Sequence, residues 1–103
     1  MKITKIETLI ATDPAGSNLV YVRTHTDAGI HGVGEVYHVG PDMASPIWVE
    51  YFAEQLVGQD PTEIERNWAL CYQGARFPMA SSGLAALSAI DVSLWDITGK
   101  ALD

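Results

Sequence analysis

The 103-residue sequence predicts an α+β domain: a three-stranded antiparallel meander followed by three helices. Three observations carry that prediction. The hydrophobic pattern switches once, near residue 45, from short runs rich in Ile, Val, Thr and Tyr to apolar stripes at helical spacing. Asp27-Ala28-Gly29 joins two of the early runs through a connection short enough to demand a hairpin. Two Pro-containing steps, Ser45-Pro46 and Asp60-Pro61, each stand just ahead of an apolar stripe, as helix starts do.

The strands are read over about 2–12, 18–26 and 30–37. Asp13-Pro14-Ala15-Gly16-Ser17 separates the first two as a turn. Gly29 is placed to supply the positive φ that a three-residue hairpin loop needs. With Thr26 opposite Ile30, His25 faces His31 and Tyr21 faces Glu35, sharing one side of the sheet with Arg23 and Val33. The other side carries Val20, Val22 and Val36, and Gly32 and Gly34 leave room there for a helix to approach.

The helices are read over about 46–57, 61–73 and 82–102. For the first, Ser45 is the expected N-cap and Pro46 the first helical residue; Trp48, Val49, Phe52 and Leu56 form the stripe, and Gly58 stops it. For the second, Asp60 is the expected cap with Glu63 completing a capping box. Ile64, Trp68, Cys71 and Tyr72 make its buried face, and Gly74 ends it. Cys71 in that stripe reads as a small buried hydrophobe. In the third, residues set 100° apart put Leu87, Ile90, Leu94, Ile97 and Ala101 on one face with Leu84 and Trp95 flanking, while Asp96 and Lys100 form an acidic-to-basic pair four apart. Asp91 falls inside the apolar sector, where a lone carboxylate is costly, so a partner is expected, an arginine such as Arg66 or Arg76 or backbone N–H groups, with a catalytic carboxylate as the alternative.

Composition narrows the function. Hydrophobic residues make up 48% and charged residues 18%, which is a folding composition. The net charge is 6 − 13 = −7, the wrong sign for gripping nucleic acid or an anionic bilayer. A single cysteine forms no intramolecular disulfide, which points to a reducing cytoplasm, and no segment reads as a signal peptide or a membrane span. A (β/α)₈ barrel needs about 250 residues, so this length is expected to hold no catalytic barrel of its own.

Few residue groups invite chemistry. There is no Gly-x-Ser-x-Gly, no Cys-x-x-Cys and no Gly-rich phosphate loop. His25, His31 and Glu35 suggest a metal, but Glu35 lies about 13 Å along the strand from the histidine pair at ~3.3 Å per residue, too far to share an ion. No metal ligand and no catalytic residue is therefore assigned. Tyr37-His38-Val39-Gly40-Pro41-Asp42-Met43-Ala44 reads as a loop, either a binding element or a solvated connector.

Four segments in order give the sequence a resemblance. They are Met1-Lys2-Ile3-Thr4-Lys5-Ile6-Glu7, the hairpin Thr24 to Glu35, Gly58-Gln59-Asp60-Pro61-Thr62-Glu63-Ile64-Glu65-Arg66, and Ala86-Leu87-Ser88-Ala89-Ile90-Asp91-Val92-Ser93-Leu94-Trp95-Asp96-Ile97-Thr98-Gly99-Lys100. Together they resemble the amino-terminal domain of the enolase superfamily, in its mandelate racemase and muconate lactonizing enzyme group. Tyr and His after Gly34-Glu35-Val36 look most like the acid-sugar dehydratase branch.

The resemblance implies a capping domain over residues 1–103 whose partner is its own barrel domain. That barrel holds magnesium on acidic ligands and carries lysine or histidine bases that remove the proton α to a carboxylate. None of this apparatus is in the present sequence, so the chain alone is expected to be inert and to hold no cofactor. The loops over residues 13–17 and 37–44 map onto those that close the barrel mouth, and Tyr37 and His38 are the expected contacts to a carboxylate substrate, a polyhydroxy acid. A homo-oligomer is also expected, because a cap without its barrel bares the apolar patch that meets it, and a racemase or cycloisomerase is the alternative within the family. A free-standing, non-enzymatic ligand- or protein-binding α+β domain is the alternative outside it.

Overall fold

The computed structural model describes residues 1–37, 43–75 and 81–103. Strands β1 (Ile3–Thr12), β2 (Asn18–Thr26) and β3 (His31–Glu35) form one antiparallel sheet in the order β1-β2-β3. Helices α1 (Ala44–Leu56), α2 (Ile64–Gly74) and α3 (Ser81–Leu102) follow, so the chain adopts the α+β meander-then-helices fold that its pattern predicts. His25 stands opposite His31 and Tyr21 opposite Glu35, the register set by the short hairpin loop. Gly29 takes φ 75° there, and the Thr26 hydroxyl and amide both donate to the Ile30 carbonyl.

The sheet buries the side that carries Val20, Val22 and Val36. Against it, α3 packs across β2 and β3, α1 packs on β1 and α3, and α2 rests on the other two helices. Sheet valines meet Val49, Phe52 and Leu56 of α1 and Leu87, Ile90, Leu94 and Ile97 of α3 in one core. At β3 the approach is unusually close. A Cβ on Gly32 would strike the Ser93 carbonyl and one on Gly34 the Ala89 carbonyl, and α3 answers with small buried residues of its own, Ala85, Ala86, Ala89 and Ser93. Within this seam, Ser93 donates to the Ile90 carbonyl at 2.6 Å, so its oxygen is left to accept from the Thr24 hydroxyl at 2.7 Å. That pairing satisfies the buried Thr24 hydroxyl, which an apolar seam would otherwise strand.

The helix starts differ from the sequence prediction. α1 begins at Ala44 with Met43 at its N-cap, and Ser45 is buried inside the first turn and caps nothing. Proline is tolerated wherever the N–H is an orphan of the first turn, so Pro46 does not fix the first helical residue. Asp60 does take its expected bonds, from the Thr62 amide at 2.9 Å and hydroxyl at 2.7 Å, but these close a turn ahead of α2. The helix itself starts at Ile64, and the Glu63 carboxylate binds Arg66 at 2.6 Å without closing a capping box.

The buried face of α2 is also corrected. Asn67 sits fully buried between Ile64 and Cys71, its Nδ2 donating to the Asp60 carbonyl at 2.8 Å. Trp68 is 39% exposed and stacks on Tyr72 at 4.6 Å on the outer side, so neither aromatic belongs to the core. On α3, Leu87, Ile90, Leu94 and Ile97 are buried as expected, while Ala101, Leu84 and Trp95 are exposed. Cys71 is a buried hydrophobe, and burial pushes its thiol up to about 12.

Candidate functional site

The meander brings both predicted covering loops to one end of the sheet. β1 leaves at Thr12 and β2 enters at Asn18; Ala11 lies opposite Leu19 and Tyr21 opposite Glu35, so β3 must exit at that same end. The first loop is a self-contained turn. Asp13 Oδ1 accepts the amides of Ala15 and Ser17, each at 2.9 Å, the Asp13 amide donates to Ser17 O, and Gly16 supplies φ 88°. The second loop has a fixed root: Val36 is buried and its amide donates to the Val20 carbonyl at 2.8 Å. Immediately beyond it Tyr37 stands 75% exposed. His38 lies outside the described residues, as does the rest of 38–42, and the chain re-enters at Met43, itself exposed.

The outer side of the sheet carries the histidines. Their rings lie 6.1 Å apart, and a carboxylate from β1 meets one of them: Glu7 Oε1 lies 2.7 Å from His25 Nε2, and Glu7 Oε2 lies 2.6 Å from Lys5 Nζ. Among the described residues, no three His, Cys, Asp or Glu side chains converge as a metal site would require. The bonds from Lys5 and then His25 hold the Glu7 carboxyl down from 4.5 to about 2. Asp60 and Asp96 are lowered as well, by their bonds to Thr62 and Lys100. A lowered carboxylate stabilises the fold above its unfolded value and loses that contribution as pH falls through the folded one. The melting temperature is therefore expected to drop between about pH 4.5 and pH 2, and Glu7→Gln should flatten that drop in thermal scans across the interval.

Asp91 is half-buried, not solvated, and lines a narrow crevice between α2 and α3 with Asn67, Trp68 and Leu94. Desolvation pushes its carboxyl above the usual range, and a hydrogen bond from Trp95 offsets part of that. Arg66 is not its partner, being engaged by Glu63, and Arg76 lies outside the described residues. Along the same helix Leu84, Trp95 and Leu102 share one outer face, since 11 and 18 residues at 100° each return to within 20° of the start. With Val92 beside them and the Trp68–Tyr72 stack on α2, they leave apolar surface uncovered; Trp95 alone is 60% exposed. The described residues thus offer one exposed aromatic beside the loop end and an apolar flank on α2 and α3.

Comparison with known proteins agrees with this arrangement. Residues 6–103 match the family described as mandelate racemase / muconate lactonizing enzyme, N-terminal domain. A D-galactonate dehydratase family member, RspA of Cellvibrio japonicus, is 40% identical over 93 residues, covering 89% of this chain and 23% of its own length. The D-mannonate dehydratase of Novosphingobium aromaticivorans is 36% identical over 101 residues, covering 97% of this chain and 25% of its own. Among solved structures, an enolase from Agrobacterium radiobacter with bound Na and L-malate superposes with a TM-score of 0.92 at 41% identity, over 99% of this chain and 26% of that one. The chain spans about a quarter of the length of the relatives it matches. Fold, register and sequence together place the chain in the enolase superfamily, as a member of the mandelate racemase and muconate lactonizing enzyme N-terminal domain family.

Proposed function

We propose that this chain is the cap of a sugar-acid dehydratase whose chemistry belongs to a barrel domain, and that alone it turns over nothing. The observation that carries the reading is the family match over residues 6–103, made by relatives about four times as long. Two structural features support it. The loop end gathers the turn over residues 13–17 and the root of the Tyr37 segment on one side, as a lid over a mouth requires. The uncovered apolar face of α3, with Trp95 at its centre, is surface that a second domain would bury.

In the joined enzyme a divalent ion, magnesium by family, would be held by barrel residues and would stabilise the negative charge left when the proton α to the carboxylate is removed. The work of this chain is confinement. Tyr37 would offer an aromatic face and a phenol to a polyhydroxy acid and His38 an imidazole, and the two loops over the barrel mouth would keep water from the reacting centre. The turn at 13–17 is short and spends its polar groups on itself, so substrate contact falls to Tyr37 and His38.

The test is kinetic. In an enzyme carrying this chain as its N-terminal domain, Tyr37→Ala and His38→Ala should each raise KM or shift preference among sugar acids by about tenfold, the scale of one lost hydrogen bond in a dry site. Constants indistinguishable from the parent's would remove both residues from the site.

A further inference from the structure

Among the described residues no strand pairs with the outer edge of β3, a template for another strand, and that edge is not left open. Thr26 donates to Ile30 O and Val36 to Val20 O, so the even-numbered residues of this strand make the ladder with β2 and the backbone groups of His31 and Val33 point away from it. Outward N–H and C=O groups on an edge strand invite pairing with other chains. Here two of them are taken by α3. Asp96 Oδ2 accepts the Val33 amide at 3.0 Å, Lys100 Nζ donates to the His31 carbonyl at 2.8 Å, and the two side chains bind each other at 2.8 Å. An acceptor and a donor thus stand where an added strand would present its own C=O and N–H.

We propose that Asp96 and Lys100 form a strap that seals the β3 edge against strand addition, so that their i,i+4 pairing serves the sheet and not the helix. The placement follows from the glycine seam. Only because Gly32 and Gly34 let α3 lie against the β3 backbone do side chains one turn apart on the helix reach groups two residues apart on the strand. A surface ion pair by itself contributes little. The same pair holding two backbone groups makes charge-assisted bonds that compete directly with an incoming strand.

Amide exchange on the 103-residue chain tests this, with Val22 as the reference for global opening because it lies in the central strand, paired on both sides. The Val33 amide should exchange slowly although it faces out of the ladder. Asp96→Ala should speed it roughly tenfold or more while Val22 is unchanged, and Asp96→Asn, which keeps an acceptor, should retain most of the protection. Asp96→Ala combined with Lys100→Ala should also sediment as larger species than the parent at equal concentration. A Val33 amide that exchanges as an unprotected one in the parent, or at an unchanged rate in Asp96→Ala, overturns the strap. Sedimentation of the double variant identical to the parent overturns its sealing role, and equal acceleration of Val33 and Val22 would show that Asp96 acts on global stability instead.

Discussion

Gly34→Ala should cost the chain about 3 kcal/mol of stability, at the upper end of what overpacking a core does. The added methyl would sit on the Ala89 carbonyl, with the Ala89 Cα at 3.1 Å behind it. Both are helix backbone, so no side chain can rotate away and α3 must lift from β3. Gly32→Ala meets the same obstacle at the Ser93 carbonyl, with Ile97 Cγ1 at 2.8 Å. Lifting α3 also breaks the Thr24–Ser93 hydroxyl bond and leaves the Thr24 hydroxyl without its partner. In a domain of about 100 residues, a loss of this size lowers the melting temperature by on the order of 15 °C. Gly99 supplies the contrast. It lies on the exposed side of α3 with nothing near its hypothetical Cβ, so Gly99→Ala should gain about 0.5–1 kcal/mol through helix propensity. Urea midpoints for the three variants check the sign as well as the size.

Phe52→Ala should cost a further-reaching 3–5 kcal/mol, about the toll of removing a fully buried aromatic. Phe52 is completely buried on α1, stacked on Trp48 at 5.7 Å and met edge-on by Tyr51, in contact with the core that joins sheet to helices. The cavity it would leave is bounded by α3 and the sheet, which cannot both collapse inward. Trp68→Ala is the informative companion. Sequence periodicity gave Trp68 the same core status, whereas the structure puts it on the surface against Tyr72, and the expected cost is below about 1.5 kcal/mol. Denaturant unfolding of the pair therefore separates the two placements by their energies.

These contrasts show what the residues announce and what they hide. The hairpin was legible because three residues between His25-Thr26 and Ile30-His31 allow one register, and α3 because Leu87, Ile90, Leu94 and Ile97 recur at helical spacing. The glycines at 32 and 34 announced a close helix through their lack of side chains on the buried face. Asn67 was missed because a polar residue reads as exposed. Its place three after Ile64 and four before Cys71 was the available signal, and the neighbouring Trp68 and Tyr72 outweighed it by size. The caps misled because proline marks a first turn without marking a position in it. Glu7 joined His25 from a strand whose partner register no local motif declares. Asp96 and Lys100 read as an ordinary helix pair, since their true partners, Val33 N and His31 O, are backbone groups far away in sequence. Of the candidate site, the position of Tyr37 at the loop end followed from topology; the substrate contact proposed for it rests on family resemblance, because a cap carries few reactive groups to read.

The central claim is that this chain shapes and closes a site whose chemistry lies in another domain. It is tested most directly by measuring sugar-acid dehydration by the 103-residue chain with magnesium, beside a chimera in which the chain replaces the N-terminal domain of the Novosphingobium D-mannonate dehydratase. The account predicts no turnover by the chain alone, and turnover by the chimera with an altered preference among sugar acids that Tyr37→Ala changes again. Dehydration by the chain alone, tracking with the purified protein and lost on its unfolding, would contradict it.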